Sequence, residues 1–210
     1  MKVETNDVMT EHALSLYRQS LDQTEQYKFE RDQYKQLYDD ALEELAKLKK
    51  VHQEPEWLPT RQSNVTSIQT SQRDLERFIA DYNLDLNAQH FYDQAEIYQI
   101  DPGFALAVWV LETGWGKSSV WLNDNNPAGI IGSDGDYYAY NSKGEGVCAM
   151  FELLNAYTSG SISYVGQRNT PEEIRSAWSQ TDDVDKIVDI WRLIWWQKMK
   201  LNFISHNKSE

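Results

Sequence analysis

At 210 residues the chain is long enough for one domain of ordinary size and an additional segment. Its formal net charge of -13 argues against nucleic-acid binding, because proteins that bind nucleic acids normally present a basic surface to the phosphates. A single cysteine, Cys148, excludes a disulfide within the chain, and no apolar run reaches membrane-spanning length. The first residues also lack the apolar core of a signal peptide, so we expect a chain made in the cytoplasm without a membrane span.

Residues 1–50 are predicted to be helical. The stretch from about 10 to 50 has neither Gly nor Pro, and larger or apolar residues recur at steps of three and four from Leu14 to Leu48. This spacing is typical of a coiled-coil seam, although Thr24 and Arg31 interrupt it. Self-association or binding of a protein partner through residues 10–50 is one interpretation, and a single helix is the other.

Residues 51–72 are predicted to be a linker, because Pro55, Pro59 and a stretch rich in Ser, Thr, Asn and Gln lie there. Residues 73–205 carry the patterns of a mainly helical domain. Apolar side chains recur at helical spacing in several segments, which lie at 75–82, 91–98, 146–157, 171–178 and 184 to about 203.

Glu112 follows a helix that is predicted to be buried. Asp101 and Pro102 form a good helix start, and residues 104–111 are apolar nearly all round. Burial raises the pKa of a carboxyl group, and a raised pKa is what a general acid needs at neutral pH. The two glycines that follow would permit a sharp turn and the close approach of a ligand. The alternative is a glutamate that merely ends a buried helix.

Turn-forming residues occupy the stretch 124–135, and Tyr137–Tyr140 is predicted to be a short strand. The predicted fold class is therefore mainly α with a small β hairpin. The acidic run at 182–185 precedes a helix, where its charges would favour the helix N-terminus. We interpret the run in this way rather than as a metal site, and we predict neither a metal nor another cofactor.

The segment Val108–Ser118 (VWVLETGWGKS), followed by Asn125–Ile130 (NNPAGI), resembles the glucosaminidase family of bacterial cell-wall hydrolases, which includes autolysins and phage lysins. In that family a Glu ending a buried helix precedes a small residue, Gly and an aromatic residue, and an Asn-Asn loop follows. Tyr137–Ser142 and the nearby Glu145 look like the family's aromatic Tyr-x-Ser segment. The resemblance covers about 75–200 and implies a lysozyme-like domain that cleaves β-1,4 glycosidic bonds in peptidoglycan.

The resemblance also implies roles for carboxyl groups. Glu112 would protonate the departing glycosidic oxygen and then act as a base toward water. A second carboxylate, or the N-acetyl group of the substrate, would stabilise the oxocarbenium-like state. Our candidates for the second carboxylate are Asp136, then Asp134, then Glu145. Their alternative roles are turn formation for the two aspartates and a place near a helix N-terminus for the glutamate.

Candidate substrate-binding residues lie around the same motifs. Trp115, Tyr138 and Tyr140 could stack on sugar rings. Asn126 could bind an N-acetyl group or hold its own loop. Trp178 occupies the place where the family has a Tyr that helps catalysis, and Trp has no such hydroxyl group.

These observations predict an endo-N-acetylglucosaminidase-like hydrolase that acts on peptidoglycan at the cell wall. The N-terminal helical segment and the missing signal peptide favour a phage or mobile-element lysin, carried in a virion or released at lysis. One alternative is a lytic transglycosylase, which closes an anhydro ring instead of admitting water. Another is a structural or virion protein that kept the fold and binds glycan without cleaving it.

Overall fold

A computed structural model describes residues 58–179 and 181–206, together with scattered helical positions between 32 and 47. The residues of the predicted coiled-coil seam, from Leu14 to Leu48, lie outside the described residues. No described helix combines the length and the apolar character needed to cross a bilayer.

The described domain is mainly helical, as the sequence predicts, and is consistent with a lysozyme-like all-α domain. Its helices from residue 58 onward are α1 (Gln72–Asp81), α2 (Ala88–Tyr98), α3 (Pro102–Thr113), α4 (Ser119–Asp124), α5 (Lys143–Thr158), α6 (Pro171–Trp178) and α7 (Val184–His206). Helix α3 lies at the centre, since it packs most extensively against α7 and also contacts α1 and α2. All side chains from Pro102 to Val110 are buried, which explains why this helix is apolar on every face.

The predicted β hairpin does not form as a pair of strands in the described chain. Its two sides meet at one isolated antiparallel bridge, between Ile131 and Tyr137. The buried side chain of Asn126 donates to the carbonyl groups of Ile130 and Tyr138, at 2.8 and 2.9 Å, and accepts from the Ile130 N–H at 3.0 Å. The Ile130 carbonyl also accepts from the Tyr138 N–H at 2.9 Å. The Asn126 side chain thus satisfies the Ile130 N–H and the Tyr138 carbonyl, which a longer ladder of strand hydrogen bonds would otherwise pair.

Asp101 connects three parts of the domain through one buried carboxylate. It caps α3 by accepting from the backbone N–H groups of Gly103 and Phe104. It also accepts from both the N–H and the hydroxyl group of Thr70, and from the indole N–H of Trp191 in α7 at 3.0 Å. The segment before α1, the start of α3 and the last helix are therefore held at one point.

Residues 58–71, which fall within the predicted linker, pack on the helical domain. Leu58 and Val65 are buried in the core. The Val65 N–H donates to the carbonyl of Asn169 at 2.9 Å. Arg61 forms ion pairs with three acidic residues near α6 and α7, namely Glu172, Asp182 and Asp185. This segment is consequently tied to the C-terminal part of the domain.

Gly146 permits the close approach of α5 to the loop that follows α4. A Cβ atom built on Gly146 would lie 1.7 Å from the carbonyl oxygen of Asn125, which is a backbone atom that cannot simply rotate away. We expect Gly146→Ala to lower the free energy of unfolding by about 2 kcal/mol, measured by urea denaturation. Gly144→Ala is the control, since its nearest atom, in the His90 ring, is 3.5 Å away. Equal losses in the two variants would contradict this explanation.

Candidate active site

Glu112 lies at the C-terminal end of α3, where the helix leaves the core. The residues from Pro102 to Val110 are buried, whereas the Glu112 side chain keeps 18% of its surface exposed. The helix ends because Gly114 adopts a left-handed conformation with φ of 54°, and Gly116 does so with φ of 78°. A carboxyl group is thus held at the boundary between an apolar interior and solvent.

Trp115 also has a left-handed backbone, with φ of 60°. This conformation is unfavourable for a bulky residue, at a cost on the order of 1 kcal/mol. The burial of its ring offsets that cost: the side chain is only 5% exposed and packs against Tyr82 and Phe78, with ring centroids 4.9 and 6.1 Å away. The structure therefore places Trp115 in the core, where its ring is not open to a sugar.

Arg175 joins Glu112 to a second carboxylate, Asp183. Its Nε and Nη2 atoms donate to the two carboxylate oxygens of Asp183, at 2.5 and 2.9 Å, and its Nη1 atom donates to Oε1 of Glu112. The Arg175 side chain is 9% exposed, on the inner face of α6. Thr181 donates its hydroxyl to Asp183 at 3.2 Å. The buried guanidinium group of Arg175 thus donates hydrogen bonds to two carboxyl groups, and its interaction with Asp183 is bidentate.

The environment shifts the pKa values of the two carboxyl groups in opposite directions. Burial raises the pKa of Glu112 above its ordinary value, although Arg175 opposes the rise, and the charge of Asp183 adds to it. Burial alone would raise the pKa of Asp183, but the hydrogen bonds and charge of Arg175 outweigh it and hold that pKa below its ordinary value. A pair separated in this way suits one group for proton donation and leaves the other ionised.

The structure does not bring the three predicted second carboxylates to Glu112. Asp134 and Asp136 are exposed in the turn between Ile131 and Tyr137, where Asp134 accepts from the Asp136 N–H at 3.2 Å. Glu145 lies in the first turn of α5 and accepts from the backbone and side chain of Asn141, at 3.1 and 2.9 Å. No hydrogen bond or ion pair among the described residues connects any of the three to Glu112 or Arg175. Asp183 is the carboxylate that shares a partner with Glu112.

Two of the predicted sugar-contacting residues lie on the loop that Asn126 holds. Tyr138 is 53% exposed, and its ring centroid is 4.8 Å from that of Tyr140. Asn126 itself is buried, and the three hydrogen bonds of its side chain go to the loop backbone. Of its two predicted roles, the geometry therefore favours holding the loop. Tyr138 therefore remains accessible for stacking, whereas Tyr140 is half-buried.

Trp178 ends α6 on the same side as Arg175. Its ring stacks on Tyr157 of α5, with centroids 6.0 Å apart and an angle of 18° between the planes. Burial raises the pKa of Tyr157 above its ordinary value. A tyrosine ring thus lies beside the position where the sequence has Trp178.

An open cleft of about 460 Å³ lies beside Arg175, between the end of α6 and the start of α7. The residues that line it include Ser176, Ser179 and Thr181. Within the part of the chain that the structure describes, no three His, Cys, Asp or Glu side chains come together as metal ligands. The acidic run 182–185 pairs with arginines instead.

Comparison with known families identifies this domain. The family model of the glucosaminidases, described as mannosyl-glycoprotein endo-beta-N-acetylglucosaminidase, matches residues 88–189, a range that includes Glu112, Arg175 and Asp183. No curated protein matches the chain. The resemblance that the sequence motifs predict is confirmed over residues 88–189, which form a glucosaminidase-type domain.

Proposed function

We propose that the chain is a glycoside hydrolase that cleaves β-1,4 glycosidic bonds of peptidoglycan in the manner of an endo-N-acetylglucosaminidase, with Glu112 as the catalytic acid. The observation that carries this proposal is the position of Glu112, at the end of a helix that is buried from Pro102 to Val110, with a raised pKa and within a glucosaminidase-type domain. Burial favours the protonated carboxyl group, which is the form that can donate to a glycosidic oxygen.

Glu112 would transfer its proton to the leaving oxygen as the bond between that oxygen and the anomeric carbon breaks. The resulting carboxylate would then accept a proton from the attacking water. Asp183 is unsuited to be the nucleophile, because both of its oxygens already bind Arg175. We assign the stabilisation of the oxocarbenium-like state either to the substrate's N-acetyl group or to Asp136, Asp134 or Glu145 brought near by loop movement.

One observation favours a second candidate, a lytic transglycosylase. None of the three predicted second carboxylates contacts the group formed by Glu112, Arg175 and Asp183, and a transglycosylase needs only one glutamate. In that reaction the substrate's own 6-hydroxyl group, instead of water, would attack the anomeric carbon. A chain that binds glycan without cleaving it is a third possibility, favoured by Trp178 at the expected tyrosine position.

The ends of the released fragments distinguish these functions. Purified full-length protein is incubated with purified peptidoglycan from several wall types, and soluble fragments are identified by mass spectrometry. Reducing N-acetylglucosamine ends would support the proposed hydrolase. Reducing N-acetylmuramic acid ends would change the bond assigned, and 1,6-anhydro ends would establish the transglycosylase. Binding without any release of fragments would leave the glycan-binding function.

We further propose that the enzyme acts at the cell wall as a phage or mobile-element lysin, carried in a virion or released at lysis, and that residues 10–50 associate with a second copy or a partner protein. The basis is the substrate class of the family and the heptad-like spacing from Leu14 to Leu48. Light scattering of the purified full-length chain would reveal a dimer or larger assembly, whereas a monomer at micromolar concentration would argue against self-association.

A further inference from the structure

Among the residues that the structure describes, Arg175 is the cation that contacts Glu112. We propose that Arg175, fixed by Asp183, is a positioning residue for Glu112: its guanidinium group holds the carboxyl group in one orientation and stabilises the carboxylate that remains after proton transfer. This inference rests on the proposed function of Glu112 as the acid.

The hydrogen bonds of Arg175 leave its guanidinium group little freedom. Asp183 occupies Nε and Nη2, so the plane of the group is set and Nη1 is directed to Glu112. The start of α6 is fixed as well, because Thr170 and Glu173 form a reciprocal capping box around Pro171. A lysine would supply the charge but not this two-sided geometry, since its ammonium group is a point charge on a flexible stem.

Arg175 and Asp183 are the charged groups that act on Glu112 among the described residues, and they act in opposite directions. The helices that pack most extensively against α3 are α1, α2 and α7, and none of their charged side chains that the structure describes contributes to the pKa shift of Glu112. Lys186 in α7 acts on Asp183 instead. When Glu112 gives its proton to the glycosidic oxygen, the electron pair of the broken bond goes to that oxygen. The negative charge left on Glu112 then lies against the guanidinium group.

The two neighbours should therefore shift the titration of Glu112 with opposite signs. Glu112 must be protonated to act as an acid, so activity falls as the pH rises through its pKa. Arg175→Gln removes a stabiliser of the carboxylate and should move this fall to higher pH. Asp183→Asn removes a nearby negative charge, and Glu112 is then the only charged carboxylate that Arg175 pairs with among the described residues. The pKa of Glu112 should therefore decrease, and the loss of activity should occur at lower pH.

The conservative variant separates charge from orientation. Arg175→Lys should keep the pH of the fall near that of the wild type, because the positive charge is retained. It should nevertheless lower kcat about tenfold while KM changes less than about threefold, because the carboxyl group is no longer held in one orientation. A residue that merely stabilised the fold would not separate kcat from KM in this way.

Two measurements test the proposal in the full-length chain. One is the pH dependence of kcat and KM on solubilised glycan strands for the wild type and the three variants. The other is the titration of the Glu112 carboxyl carbon by ¹³C NMR, with its signal identified by its loss in Glu112→Gln. The NMR titration needs no turnover, so an inactive wild type would overturn the proposed function without deciding this inference. An unchanged Glu112 titration would overturn the inference alone.

Arg61→Gln is the matched control, because Arg61 also binds several carboxylates, Glu172 and Asp185 among them, but does not contact Glu112. Arg61→Gln should leave the pKa of Glu112 unchanged. If Arg175→Gln does not fold, the double variant Arg175→Gln with Asp183→Asn avoids leaving an unpaired negative charge at position 183. The pKa of Glu112 in this double variant should still differ from that in the wild type, because Arg175 no longer contacts the carboxyl group. Shifts of the same sign in the two single variants, or a shift in Arg61→Gln as large as in Arg175→Gln, would overturn the proposal.

Discussion

Glu112→Gln is expected to lower kcat/KM on peptidoglycan about a thousandfold, because an amide cannot donate the proton that the leaving oxygen requires. The substitution keeps the shape of the side chain and leaves an oxygen that can still accept from Nη1 of Arg175. The variant should therefore fold as the wild type does. Initial rates of fragment release at saturating and at low substrate concentrations would measure the loss.

Glu76→Gln is the control for this experiment, since it makes the same chemical change at an exposed position of α1. It should retain the wild-type rate. Melting temperatures of the three proteins should agree within a few degrees. Substantial cleavage by folded Glu112→Gln would assign the acid to another residue.

Asp101→Ala is expected to lower the free energy of unfolding by at least about 3 kcal/mol, because it removes a buried acceptor and leaves several donors unpaired. Four of these donors are backbone N–H groups, those of Gln69, Thr70, Gly103 and Phe104, and the others are the Thr70 hydroxyl and the Trp191 indole. A loss of this size is a large fraction of the stability of a typical domain. Urea denaturation followed by tryptophan fluorescence would measure it.

Asp93→Ala provides the comparison, because Asp93 is an exposed aspartate of α2 that accepts from the side chain of Gln89. Its loss should change stability by less than about 0.5 kcal/mol. Asp101→Asn should fall between the two, since one carboxylate oxygen is replaced by an amide that faces donors. If Asp101→Ala were as mild as Asp93→Ala, the buried network would not be what holds α3 and α7 together.

The fold is predictable where the signals are local. The cap and proline at Asp101 and Pro102 mark the start of α3, and α6 spans Pro171–Trp178 as its proline and apolar spacing indicate. Helix α4 carries no comparable signal. It has only six residues and depends on Ser118, whose hydroxyl accepts from the Trp121 N–H. A helix of this length shows too little periodicity to be recognised.

Contacts between distant parts of the chain explain what the sequence does not reveal about the site. The apolar run of α3 predicts where this helix ends, so the position of Glu112 at the end of a buried helix can be predicted from the sequence. Its partner Arg175 lies 63 residues away, and only its occurrence on the apolar face of α6, next to Ile174, is unusual. Asp183 is easily read as a charge at a helix start, because its pairing with Arg175 depends on the tertiary arrangement. Trp115 packs inward because the left-handed turn directs it toward α1.

The position of α7 also has a consequence for folding during synthesis. Helix α3, buried from Pro102 to Val110, packs mainly against α7, which begins only at Val184. The contact of Arg192 with the carbonyl of Pro59 spans 133 residues, so it closes late. While the ribosome is still making the residues between α3 and α7, the apolar side chains of α3 lack the helix against which they pack most extensively. Nascent chains at that stage expose the kind of surface that chaperones bind, and the last helix ends that exposure.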